Sequence, residues 1–81
     1  MTSILIADDN LQLVNILSEY SCKEGYKVYK AFDGQQALDI FENNDISVIL
    51  LDIAMPKKDG FQVCKLIRQH SNIPIIMITA K

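Results

Sequence analysis

Three acids that close or follow short apolar runs are the residues in this sequence with chemistry to offer. Ser47-Val48-Ile49-Leu50-Leu51 leads into Asp52, and Ile4-Leu5-Ile6-Ala7 leads into Asp8 and Asp9. Both runs read as buried strands. In open parallel sheets, ligands bind outside the carboxyl ends of the strands, where the strand order reverses. Carboxylates delivered there repel one another and raise some of their pKa values unless a cation offsets the charge. An incomplete all-oxygen shell suits Mg2+, which takes one or two carboxylates, keeps waters and leaves room for a phosphate oxygen. With the phosphoryl oxygens neutralised, a carboxylate there can act as a nucleophile and form an acyl phosphate. Thr79, at the end of the run from Ile75, could aim its hydroxyl at the same crevice. A plainer reading stays open on spacing alone: Asp8, Asp9 or Asn10 as a helix cap, and Asp52 as the polar end of a buried strand.

The elements that must position these acids alternate along the chain. Short apolar runs separated by amphipathic stretches are the pattern of βαβ units around a parallel sheet. Strands are expected at Ser3–Ala7, Lys27–Ala31, Ser47–Leu51 and Ile75–Thr79. A first helix is expected over Leu11–Glu24, with Leu13, Leu17 and Tyr20 on one face and Gly25 as its left-handed terminator. Asp33-Gly34-Gln35-Gln36 and Asp59-Gly60-Phe61-Gln62 each open a further helix in a variant of the capping box. The buried stripes of these two helices are expected at Ala37, Leu38, Phe41 and at Phe61, Cys64, Ile67. With the order 2-1-3-4 and right-handed crossovers, the first helix lies on one face and the other two on the opposite face. Asp8, Asp9 and Asp52 then meet at the point of reversal between the first and third strands.

With 81 residues, 49% of them hydrophobic, the chain is at most one domain. A chain of this size buries only about 60% of its unfolded surface. A net charge of −2 gives no reason to expect nucleic-acid binding. There is no apolar run long enough to span a membrane and no signal-peptide pattern at the amino terminus, so the expected location is the cytoplasm. Cys22 and Cys64 lack metal or CxxC spacing and are expected to be buried and reduced, on opposite faces of the sheet. His70 is expected to be solvated near a helix end.

The sequence resembles the receiver domain of two-component response regulators. The likeness runs through Ile4-Leu5-Ile6-Ala7-Asp8-Asp9-Asn10, Val48-Ile49-Leu50-Leu51-Asp52-Ile53-Ala54-Met55-Pro56, Asp59-Gly60-Phe61 and Pro74-Ile75-Ile76-Met77-Ile78-Thr79-Ala80-Lys81. It implies a flavodoxin-like α/β fold and Asp52 as the residue phosphorylated from a sensor histidine kinase. It further implies Asp8, Asp9, Asp52 and the Ala54 backbone carbonyl as ligands of Mg2+, Thr79 as a switch hydroxyl, and the Ala80 backbone N–H as a phosphate donor. Pro56 and Gly60 would shape the loop. A full receiver continues through a helix, a fifth strand carrying a phosphate-binding Lys, and a last helix, so residues 1–81 read as a partial receiver domain. Lys81 is not the phosphate lysine, and Lys57 and Lys58 are candidates only to approach a phosphate. The pattern is like receivers joined to DNA-binding transcription factors.

Other functions fit less well. Mg2+-dependent aspartyl phosphatases place a second acid two positions after the nucleophile, where this chain has Ala54. Gly25, Gly34 and Gly60 form neither GxGxxG nor a Walker pattern, which lowers a cofactor-binding reading. A half-domain without phosphotransfer activity is the remaining alternative. The apolar run Pro74-Ile75-Ile76-Met77-Ile78 is expected to support self-association through the fourth strand.

Overall fold

The computed structural model describes residues 2–78, so the expected roles of Thr79 and Ala80 fall outside the described residues. The elements follow in the order β1 (Ser3–Ala7), α1 (Leu11–Lys23), β2 (Lys27–Ala31), α2 (Gly34–Asn43), β3 (Val48–Asp52), α3 (Gly60–Arg68) and β4 (Ile75–Ile78). The strands form one parallel sheet in the order β2-β1-β3-β4. Every residue of β1 is buried, because β1 is flanked by strands on both edges and covered on both faces.

Alternation along the strands divides the core in two. Leu5, Ala7, Ile49 and Leu51 pack with Ala37 and Leu38 of α2 and Val63 and Ile67 of α3. Ile4 and Ile6 pack on the other face with Val14 of α1, joined by Leu17, Val48 and Leu50. The handedness rule for crossovers therefore places the helices as expected, and the cysteines sit on opposite faces as free thiols.

Helix boundaries follow their caps. Asn10 caps α1 by accepting from the Leu13 N–H at 3.2 Å. At the other end the Gly25 N–H donates to Cys22 O and the Tyr26 N–H to Ser21 O, both at 3.0 Å. This pair of bonds closes the helix around a left-handed residue, and Gly25 has φ +89°. Asp33 and Asp59 cap α2 and α3, accepting from the Gln36 N–H at 2.8 Å and the Gln62 N–H at 2.9 Å. The return bond of a capping box is altered: Gln36 Oε1 accepts from the Phe32 N–H, one residue before the cap. Arg68 Nη1 donates to Ser71 O and Ile73 O, tying the turn after α3 and so the approach to β4.

The expected helix stripes need correction. Tyr20 is 69% exposed, whereas Val14 and Ser18 carry the buried face of α1. Tyr20 follows Val14 by six positions, about 240° around a helix, so both cannot face the sheet. In α3 the buried residues are Gly60, Val63 and Ile67, and Phe61 is 63% exposed. Phe61 precedes Val63 by about 200° of helical turn. Cys22 is exposed and Cys64 half-buried, because both lie beside rather than on these faces. Finally, β3 begins at Val48 and includes Asp52, since Asp52 is in register with Ile78 and the Ile53 N–H donates to Ile78 O at 3.2 Å.

Candidate functional site

Register is what assembles the acids. β1 and β3 pair from Ile4↔Val48 to Ala7↔Leu51, so one rung further lies Asp8 beside Asp52. Successive residues of a strand point to opposite faces, so Asp8 follows Ile4 and Ile6, and Asp52 follows Val48 and Leu50, all on the α1 face. One oxygen from each of Asp8, Asp9 and Asp52 lies within 4.8 Å of the others. Asp8 and Asp52 are buried and Asp9 is exposed, so the cluster opens to solvent on the Asp9 side.

Local hydrogen bonds orient the two buried carboxylates. Asp8 Oδ1 accepts from the Asn10 N–H at 2.9 Å, and Asp52 Oδ1 from the Ala54 N–H at 3.3 Å. Since Asn10 supplies the α1 cap, neither Asp8 nor Asp9 is needed for that task. Burial raises the Asp8 pKa; the Asn10 N–H offsets part of this, and the charges of Asp52 and Asp9 raise it further. Such a group binds a proton more tightly in the folded than in the unfolded chain. Its ionisation therefore costs stability, which is greatest below the ordinary pKa and falls as pH rises through the raised one. Metal-free chain is expected to lose stability on that rise by less in Asp8→Asn than in wild type; equal losses in denaturant titrations across the acid range would remove Asp8 as the cause.

The loop after Asp52 is built to approach other backbone closely. The Gly60 N–H donates to Ile53 O at 2.8 Å, and a Cβ on Gly60 would overlap the Asp52 carbonyl oxygen. Met55, buried in the α2/α3 core, anchors the middle of the loop. Lys57 has φ +69°, and its Nζ lies 3.5 Å from Asp33 Oδ2. Lys57 is thus paired with the start of α2, while the Lys58 carbonyl packs where a Cβ on Gly34 would stand. Sequence reasoning singled out Asp33 and Gly34 as a helix start only. Nothing in their spacing signals contact with a loop more than twenty residues later, although a Gly directly after a cap was a hint of close approach.

The structure therefore brings together Asp8, Asp9 and Asp52, and places Ala54 against Asp52 through its N–H. A model of the response regulator receiver domain family matches residues 4–81. The chain belongs to this family. Among solved structures, it resembles the receiver domain of the Francisella response regulator 1452 with a TM-score of 0.93 at 32% identity, over 99% of this chain and 67% of that one. It matches the response regulator TrrA of Thermotoga maritima, solved in complex with Mg2+-BeF, with a TM-score of 0.92 at 34% identity, covering 100% of this chain and 71% of that one. The chemotaxis protein CheY4 of Vibrio cholerae matches with a TM-score of 0.93 at 32% identity, over 100% of this chain and 70% of the other.

Receivers are signalling domains of two-component systems, with a flavodoxin-like fold, a general phosphoacceptor role and histidine kinases as partners. They bind Mg2+ through acidic residues, and the donor set here fits that ion: oxygens only, from two buried carboxylates and one open to water. Among the described residues no helix is long and apolar enough to cross a membrane.

Proposed function

We propose that this receiver is phosphorylated on Asp52 by a phosphohistidine of a sensor histidine kinase. The observation that carries the reading is the convergence of the Asp8, Asp9 and Asp52 carboxylates within 4.8 Å at the β1/β3 reversal. One Asp52 oxygen forms the new bond to phosphorus as the phosphorus–nitrogen bond to the imidazole breaks. The freed imidazole nitrogen retains its electron pair and takes a proton. Asp8, Asp9, Asp52 and the Ala54 carbonyl would hold Mg2+, which supplies charge neutralisation at the phosphoryl oxygens. Asp52 and Asp8 are held for this role by the Ala54 and Asn10 N–H groups, each of which engages one oxygen, Oδ1, of its carboxylate. Thr79 would report the phosphoryl group through its hydroxyl and Ala80 would donate its N–H, altering a surface that acts on a transcriptional output domain. Incubation with acetyl phosphate and Mg2+, followed by intact-mass measurement, tests the reading; an unmodified mass would sink it.

Metal affinity in this arrangement rests on carboxylate charge. Asp9→Ala is expected to weaken Mg2+ binding about tenfold, since hard-cation sites tune affinity by ligand charge. The same substitution relieves repulsion on Asp8 and should raise the melting temperature of the metal-free chain. Calorimetric titration and thermal unfolding check the two halves separately: unchanged affinity removes Asp9 from the site, and a lower melting temperature contradicts the repulsion.

Self-association belongs to the same proposal. Among the described residues β4 pairs with β3 alone, and Ile76 is 53% exposed. An apolar strand edge of this kind is a template for another strand. The 81-residue polypeptide by itself is expected to form a two-fold dimer through β4, dissociated by Ile76→Lys; a single-chain mass in light scattering from micromolar to millimolar concentration would refute it.

A further inference from the structure

The loop from Asp52 to Gly60 is held at two places besides its ends. Met55 is buried in the core. Beyond it, the loop is joined to the start of α2 by three contacts. Lys57 Nζ lies 3.5 Å from Asp33 Oδ2, the Gly34 N–H donates to Pro56 O at 3.4 Å, and the Lys58 carbonyl fills the space beside Gly34. Lys57 is the one non-glycine residue with positive φ among the described residues, at +69°, and the Lys58 N–H donates to Pro56 O at 2.8 Å across it. A lysine in that conformation is strained, and such strain persists only where surrounding contacts over-determine it. Asp33 uses separate oxygens for its two tasks: Oδ1 caps α2 through the Gln36 N–H, and Oδ2 faces Lys57.

We propose that Lys57 and Asp33 form a latch between the β3–α3 loop and the start of α2 that positions the Ala54 backbone beside Asp52. Lys57 and Asp33 are positioning residues, acting on the Mg2+ site through the loop, and the inference rests on the metal reading of that site. Lys57 lies three peptide units from the Ala54 carbonyl expected to bind metal, so a release at Lys57 acts on that carbonyl through the short segment Met55-Pro56.

Charge alone makes the opposite forecast for Lys57 and the same forecast for Asp33. Lys57→Gln removes a cation and, through space, should tighten Mg2+ binding; Asp33→Asn removes an anion and should weaken it. Asn is as good a cap as Asp, so α2 keeps its start. The latch requires both single variants to weaken binding, each by about threefold, and the double variant to be no weaker than either, as for groups acting as one unit. Mg2+ titrations of the full chain, followed by the amide NMR signals of Asp52 and Ala54, read this directly. Lys57→Arg keeps the pair and should restore wild-type affinity. Without metal, amide exchange at Gly34 and Lys58 should quicken in both single variants. Tighter or unchanged Mg2+ binding in Lys57→Gln, additive effects, or unchanged amide exchange would overturn the latch. If wild type itself fails to bind Mg2+, the metal reading falls, and amide exchange still decides whether Lys57 and Asp33 hold the loop.

Discussion

Asp52→Asn is expected to abolish phosphoryl transfer to this chain, leaving its mass unchanged after incubation with acetyl phosphate and Mg2+ under conditions that modify wild type. The change is nearly isosteric. Asn at this position retains an oxygen to accept the Ala54 N–H, so the strand end and the loop keep their anchor. What disappears is the nucleophile, because an amide neither carries the charge nor shares the electron pair that attacks phosphorus. Mg2+ affinity should fall as well, since one of three carboxylates is lost. The metal-free fold should not suffer, because Asp52 contributes to the repulsion that raises the Asp8 pKa. Tandem mass spectrometry that finds the Asn variant phosphorylated on Asp8 or Asp9 as fully as wild type would reassign the acceptor.

Gly60→Ala is expected to be among the most damaging single-methyl substitutions in the molecule. A Cβ there would overlap the Asp52 carbonyl oxygen and crowd Ile53 Cα, both backbone atoms that no rotamer change can move aside. Forcing atoms into a packed site costs about 3 kcal/mol. For a domain near 80 residues that is a drop of about 12–24 °C in melting temperature. Gly34→Ala should behave alike, because its Cβ meets the Lys58 carbonyl. Gly25→Ala supplies the contrast: nothing lies within 4 Å of a Cβ there, and only the left-handed φ of +89° opposes it. That conformational cost is about 1–2 kcal/mol. Thermal unfolding of the three variants should rank Gly25→Ala mildest; equal losses would show that close approach at Gly60 and Gly34 is not what those glycines serve.

The two glycines also mark the limit of what spacing can reveal. Gly60 and Gly34 each follow a capping Asp, and in sequence both read as part of a helix start. Their second role depends on which backbone passes beside them. For Gly60 that backbone is Asp52, close in sequence; for Gly34 it is Lys58, brought near by the packing of α2 against α3. The exposed Tyr20 and Phe61 show a different limit. Each belongs to an apolar set that can be drawn as a helical stripe in more than one way. Which of the available stripes faces the sheet is decided by the residues that fit closest to it, Val14 with Ser18 in α1 and Val63 with Ile67 in α3.

Whereas the choice of Asn10 over Asp8 and Asp9 as the cap of α1 came from the structure, the sequence by itself determined the alternation of strands and helices, the caps at Asp33 and Asp59, the terminator at Gly25, and the delivery of acids to strand ends. These are local properties: hydrophobic period, side-chain bonding to nearby N–H groups and the steric freedom of glycine act over a few residues and are written in consecutive positions. Given the order 2-1-3-4, the handedness rule extended them to the faces on which the helices lie. The meeting of the three acids where that order reverses was legible too; tertiary structure decided that Asp8, not Asp9, shares the rung of Asp52, because the rung depends on the register of strands forty residues apart. It alone decided that Lys57 reaches Asp33 instead of the acids, since an ion pair forms between groups that packing brings together, whatever their distance along the chain.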